Sequence, residues 1–130
     1  MQPDAIHYRK ATRTLTVTFA GTAFELPAEL LRVFSPSAEV RGHGAGERKL
    51  QTGKKYVQIT GIDPVGNYAV RLAFDDGHDS GIYSFDYLHE LGAQQQAFWD
   101  EYLAELKAAN ASRLPAITVG QWQPARDPQE

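Results

Sequence analysis

The chain contains no cysteine among its 130 residues. That excludes disulfides, thiolate zinc sites, cysteine-ligated clusters and a cysteine nucleophile. No apolar run approaches the ~20 residues that cross a bilayer. The opening Met1-Gln2-Pro3-Asp4-Ala5-Ile6-His7 lacks a basic-then-apolar leader, so a cytoplasmic protein without membrane attachment is expected. A basic excess is missing too. Thirteen Lys and Arg face sixteen Asp and Glu, a net charge of -3, and this balance argues against a nucleic-acid partner.

What is present is an ordinary globular composition, 42% hydrophobic and 11% aromatic, in a chain long enough for one core. Ile6 and Tyr8, then Leu15, Val17 and Phe19, alternate with polar residues, the period of half-buried strands. Residues 10–13 between them read as a hairpin connection, and 22–26 as a third strand. Pro27 opens a short helix carrying Leu30, Leu31 and Phe34, which Ser35-Pro36 stops; another turn or two follows from Ser37 through Val40. Residues 56–60 and 68–74 read as a central antiparallel pair, with Asp63-Pro64-Val65-Gly66 as its turn. Ile82-Tyr83 is the returning strand. Ser84 caps a helix over 85–91 that Gly92 ends. A long helix over 94–110 presents Phe98, Trp99, Tyr102, Leu103 and Leu106 on a broad apolar face. The fold class is α+β: a small, mainly antiparallel sheet, a short helix after the third strand, and a long C-terminal helix packed on the sheet. Residues 1–110 form the domain and 111–130 an extended tail rich in proline and glutamine, whose Ile117, Val119 and Trp122 are expected to lie over the domain's own sheet in preference to a partner's groove.

Residues 41–55 mix Gly42, Gly44, Gly46 and Gly53 with Arg41, Arg48, Lys49, Lys54 and Lys55. This basic loop is either a solvated connection or a dock for a phosphate or an acidic partner. It is not a nucleotide P-loop: Arg48 stands where the first glycine belongs, and Lys55 replaces the magnesium-holding hydroxyl.

The densest chemistry lies in residues 71–88. Asp75, Asp76, His78 and Asp79 are residue types that hold zinc or iron, yet Asp and Gly are also what a tight turn requires. His78 and Asp79 are adjacent, so in extended chain they point to opposite faces. Gly77-His78-Asp79-Ser80-Gly81 has hydrolase residue types without the nucleophile-elbow spacing. No catalytic motif is complete.

The strings Leu31-Arg32-Val33-Phe34-Ser35-Pro36-Ser37-Ala38-Glu39-Val40-Arg41-Gly42-His43-Gly44 and Phe74-Asp75-Asp76-Gly77-His78-Asp79-Ser80-Gly81-Ile82-Tyr83-Ser84-Phe85-Asp86-Tyr87-Leu88 resemble the gamma-butyrobetaine hydroxylase-like N-terminal domain family. The likeness extends from about Ile6 to Leu106. It implies a small α+β module that precedes an oxygenase barrel, stands alone in bacteria, or is joined to P-loop ATPases of iron–sulfur cluster assembly. It also implies a structural zinc on three cysteines and a histidine. Those cysteines would fall on Ser35, Ser37 and Val40, and only His78 matches. The small domain accounts for the chain, so no oxygenase activity is expected.

Two readings follow. One is a non-catalytic binding or adaptor module whose partner, for instance a cluster-assembly P-loop ATPase or an oxygenase, meets a surface of Arg32, Ser35, Ser37, Glu39, Arg41, His43, Asp75, Asp76 and Ser80. The other is a metal carrier or metal-dependent enzyme, with His78, His43 and Asp76 as the candidate ligands of iron or zinc.

Overall fold

The computed structural model describes residues 1–42 and 48–116. Its strands divide into two antiparallel three-stranded sheets, β1 (Ala5–Arg9), β2 (Thr14–Phe19) and β3 (Thr22–Pro27), then β4 (Ile59–Val65), β5 (Ala69–Phe74) and β6 (Gly81–Ser84), each in sequential order. The alternation in β2 acts as expected: Leu15, Val17 and Phe19 are buried while the threonines between them are half-buried. Tyr8 joins the sheets, its hydroxyl donating to the Gln58 side chain and accepting from the Ile59 N–H at 3.0 Å.

The second hairpin differs from the sequence reading. Pro64 is not in its turn but within β4, opposite Val70. β4 is an edge strand, where a missing N–H costs no ladder bond. The turn therefore moves to Gly66, at φ 54, and the strand begins at Ile59 rather than Tyr56.

Helix α1 (Ala28–Val33) follows β3 directly, with Pro27 at its N-cap, and all six of its residues are buried. α2 (Ala38–Arg41) is capped by Ser37 Oγ accepting from the Glu39 N–H. α3 (Phe85–Ala93) starts as expected at Ser84, whose hydroxyl accepts from the Tyr87 N–H at 3.1 Å. Gly92 does not end it. That glycine sits inside the helix because a Cβ there would run into the Phe24 ring, so the residue serves close packing of α3 on β3. Helix α4 (Gln95–Ala108) buries Tyr102 and Leu106, whereas Leu103 is 40% exposed.

Because α1 is buried all round, its two charged side chains need partners inside the protein. Glu29, 5% exposed, accepts from Tyr102 Oη at 2.7 Å and from Arg113 Nε and Nη2 at 2.8 and 2.7 Å. Arg113 also lies 4.9 Å from the Trp99 ring centre. The segment after α4 is thereby strapped on, and its Ser112 and Arg113 carbonyls accept from the Gly53 and Lys55 N–H groups. Residues 111–116 thus pack on the domain, past the boundary expected at 110; the rest of the expected tail and His43 lie outside the described residues.

Arg113→Ala strands the Glu29 carboxylate in the core and is expected to cost about 3 kcal/mol. Urea unfolding checks this, and Glu29→Leu combined with Arg113→Met should recover most of the loss.

Candidate functional site

The site forms where the α1–α2 corner meets the turn between β5 and β6. Gly77, at φ 90, allows the turn its left-handed residue. The Phe74 and Gly77 N–H groups donate to the His78 and Phe74 carbonyls, at 2.9 and 3.1 Å. Asp76 Oδ1 accepts from the His78 N–H at 3.1 Å. These bonds turn the His78 ring inward, leaving the residue 6% exposed.

There the ring meets residues far away in sequence. Its Nε2 lies 2.9 Å from Ser35 Oγ and its Nδ1 3.2 Å from Glu39 Oε2. Ser35 Oγ also accepts from the Ser37 N–H at 3.2 Å. A neutral imidazole satisfies all three contacts, with Ser35 donating to Nε2 and Nδ1–H donating to Glu39. Beside it Ser37 Oγ and Ser80 Oγ are 2.8 Å apart. Gly81 lets β6 come this close, since a Cβ there would sit 2.6 Å from Ser35 Oγ. The Tyr83 hydroxyl donates to the Leu31 carbonyl and the Tyr87 hydroxyl to that of Phe34, satisfying acceptors at the end of α1.

Electrostatics favour the neutral ring. Burial and then the Arg32 charge lower the His78 pKa from its ordinary 6.5, against the raising influence of Glu39 and Asp76. Burial alone would raise Asp76, but hydrogen bonds from Lys54, the His78 N–H and Arg32 hold its pKa down at about 2. Arg32 Nε and Lys54 Nζ meet the same Asp76 Oδ2, at 2.8 and 2.6 Å.

The residues expected to meet a partner therefore separate. Arg32, Ser35 and Ser37 are buried and build the corner from within. Glu39, Arg41, Asp75, Asp76 and Ser80 lie on the outside. Lys54 and Arg48 of the basic loop are ion-paired, Lys54 with Asp76 and Arg48 with Glu105 and Glu101, and Arg48 also lies 4.3 Å from the Phe34 ring centre. Sequence reasoning missed Glu39 as the imidazole's partner, because it grouped Glu39 with the partner surface and not with His78, His43 and Asp76.

The metal readings fare differently from their residue counts. Hydroxyls occupy two of the positions a thiolate cage would need, and Val40, wholly buried, brings no donor atom. Neither residue type replaces a thiolate on zinc. Asp75 Oδ1 accepts from the Gln58 N–H, and Asp76 is taken by two cations. Among the described residues no three His, Asp or Glu side chains converge.

Ser35, His78 and Glu39 do stand in the order nucleophile, base, carboxylate. Yet Ser35 is 0% exposed, beneath β6. No substrate carbonyl reaches its hydroxyl in this conformation.

A family model described as "Gamma-butyrobetaine hydroxylase-like, N-terminal" matches residues 6–89. Among solved structures, one determined by NMR is 48% identical with a TM-score of 0.78, over 94% of this chain and 97% of that one. A crystal structure from Acidithiobacillus ferrooxidans, a DUF971 family member of unknown function, is 38% identical with a TM-score of 0.60, over 71% of this chain and 93% of that one. No curated protein matches the chain.

Stability should follow the His78 titration. The folded-state pKa is depressed below 6.5, so the native state binds fewer protons and the contribution is fully present above pH 6.5 and lost as pH falls below it. Asp76 acts in a separate window, losing its contribution between its ordinary 3.8 and about 2. Urea midpoints measured from pH 8 to 2 should therefore fall in two stages, the first absent in His78→Gln. Untagged protein should also keep its thermal midpoint when a zinc chelator is added, as differential scanning calorimetry would show.

Proposed function

The chain belongs to the gamma-butyrobetaine hydroxylase-like N-terminal domain family, and from that membership we propose that it is a non-catalytic binding or adaptor module. The observation that carries this reading is the burial of Ser35: the Ser35, His78 and Glu39 order is spent on holding the α1–α2 corner to the turn between β5 and β6. The exposed Glu39 and Arg41 of α2, with Asp75, Asp76 and Ser80 of the neighbouring turn, form a fixed polar ridge. Its shape is set by the buried bonds beneath it, the kind of preorganisation that favours specific docking. Arg41 stacks 5.0 Å from the Tyr87 ring centre, an arrangement typical of interface arginines.

The partner we propose is a cytoplasmic protein, in keeping with the resemblance to domains joined to cluster-assembly P-loop ATPases or placed ahead of oxygenase barrels. A metal carrier on His78 is the weaker reading, because both ring nitrogens already have partners. Among the described residues no helix is long and apolar enough to cross a membrane.

A photo-crosslinking residue placed at the exposed position 38 of α2, beside the ridge, should capture one predominant protein in cells. Adding Asp79→Arg, with Ser80→Arg beside it, should abolish that capture. Incubation with a fluorophosphonate should leave the intact mass unchanged, and an adduct on Ser35 would replace the binding reading with a hydrolase.

A further inference from the structure

The face opposite in character to the acidic chain as a whole gathers around Tyr56. Its ring is 50% exposed. Arg13 Cζ lies 5.4 Å and Lys55 Nζ 5.5 Å from its centre. The Lys10 carbonyl accepts from Gln58 Nε2 and from the Arg13 N–H, which brings a third cation to the same end of the molecule. Among the described residues Lys10, Arg13 and Lys55 have no carboxylate partner, unlike Lys54, which pairs with Asp76.

Beside the ring is a cleft of about 180 Å³ lined by Tyr56, Val57 and Pro115 together with Lys54, Asp75 and Asp76. The strap forms its wall, since the Lys55 N–H donates to the Arg113 carbonyl at 2.9 Å. It also leaves Leu114 55% exposed nearby. An exposed aromatic flanked by unpaired cations and a small apolar notch has the composition of an interface core with a charged rim.

Arg13 sits at φ 53, as Ala20 and Asn110 sit at φ 47 and 52, in left-handed backbone that glycine adopts more readily.

We propose that this face binds an acidic peptide segment of a protein partner, with carboxylates over Arg13 and Lys55 and an apolar side chain in the cleft against Tyr56 and Pro115. Charge complementarity identifies the occupant. Asp75 and Asp76 line the cleft, so the peptide's carboxylates belong over Arg13 and Lys55 and only its apolar side chain enters; a nucleic-acid strand, which the same cations would attract, is the alternative that the oligouridine control decides. The inference rests on the binding-module reading and deepens it by naming the partner's chemistry.

The test is a titration of the nitrogen-15-labelled full chain with an acetylated, amidated hexapeptide, Glu-Asp-Phe-Glu-Asp-Leu. Its Gln-Asn-Phe-Gln-Asn-Leu counterpart and an oligouridine serve as controls. Binding should shift the amides of Arg13, Lys55, Tyr56 and Leu114 and weaken as salt rises. Arg13→Gly with Lys55→Glu should weaken it about tenfold. Glycine suits the backbone at position 13, so Arg13→Gly alone checks that a loss does not come from misfolding. Equal affinity for the double variant, equal binding of the neutral peptide, shifts elsewhere or preference for oligouridine would overturn the proposal. If crosslinking from position 38 captures a partner while the acidic peptide leaves Tyr56 unmoved, this inference falls and the binding module stands. If the peptide binds and position 38 captures nothing, the polar ridge falls instead.

Discussion

A six-residue helix, buried on every side, carries a glutamate and an arginine into the core, and the rest of the structure answers those two charges. An uncompensated buried ion costs several kcal/mol, so each must be met in place. Glu29 recruits Tyr102 from α4 and Arg113 from the strap. Arg32 recruits Asp76 from the turn after β5, and Asp76 in turn recruits Lys54. Four segments remote in sequence are thus fixed around α1 by charge neutralisation, on a framework that β2, β5 and the helices hold together by apolar burial.

The candidate site is a by-product of the same arrangement. Asp76, drawn in by Arg32, also caps the His78 N–H and so aims the imidazole at Ser35. Serine, histidine and glutamate make a hydrogen-bonded clasp where the family resemblance implies a metal. The clasp needs only a neutral ring, which burial and the Arg32 charge both favour. In consequence the outer ridge of Glu39, Arg41 and Ser80 rests on a floor of side-chain hydrogen bonds.

Elements governed by local rules were legible in the sequence. The alternation of Leu15, Val17 and Phe19, the proline at the start of α1 and the Ser84 cap all depend on neighbours a few residues away. Pro64 was misread because turn preference and edge-strand tolerance look alike without knowing which strand lies at the edge. Gly92 was misread as a stop because its reason is the Phe24 ring, 68 residues earlier. The site was legible in part: the right segments could be named, but the pairing of Ser35 with His78 spans 43 residues. No spacing rule encodes which serine a distant histidine will meet. That Arg32, Ser35 and Ser37 point inward was equally invisible, since polar residues are usually exposed.

The salt bridge between Glu29 and Arg113 joins positions 84 apart. A helix of six residues is too short to persist alone in water, and this one ends on carbonyls that Tyr83 and Tyr87 must cap. During synthesis, then, the N-terminal sheet can emerge from the ribosome and begin to pair well before its adjoining helix has any reason to settle. A fragment that stops short of Arg113 would leave the Glu29 carboxylate with the Tyr102 hydroxyl as its remaining donor, so the charge this helix carries inward is fully answered only once the strap is in place.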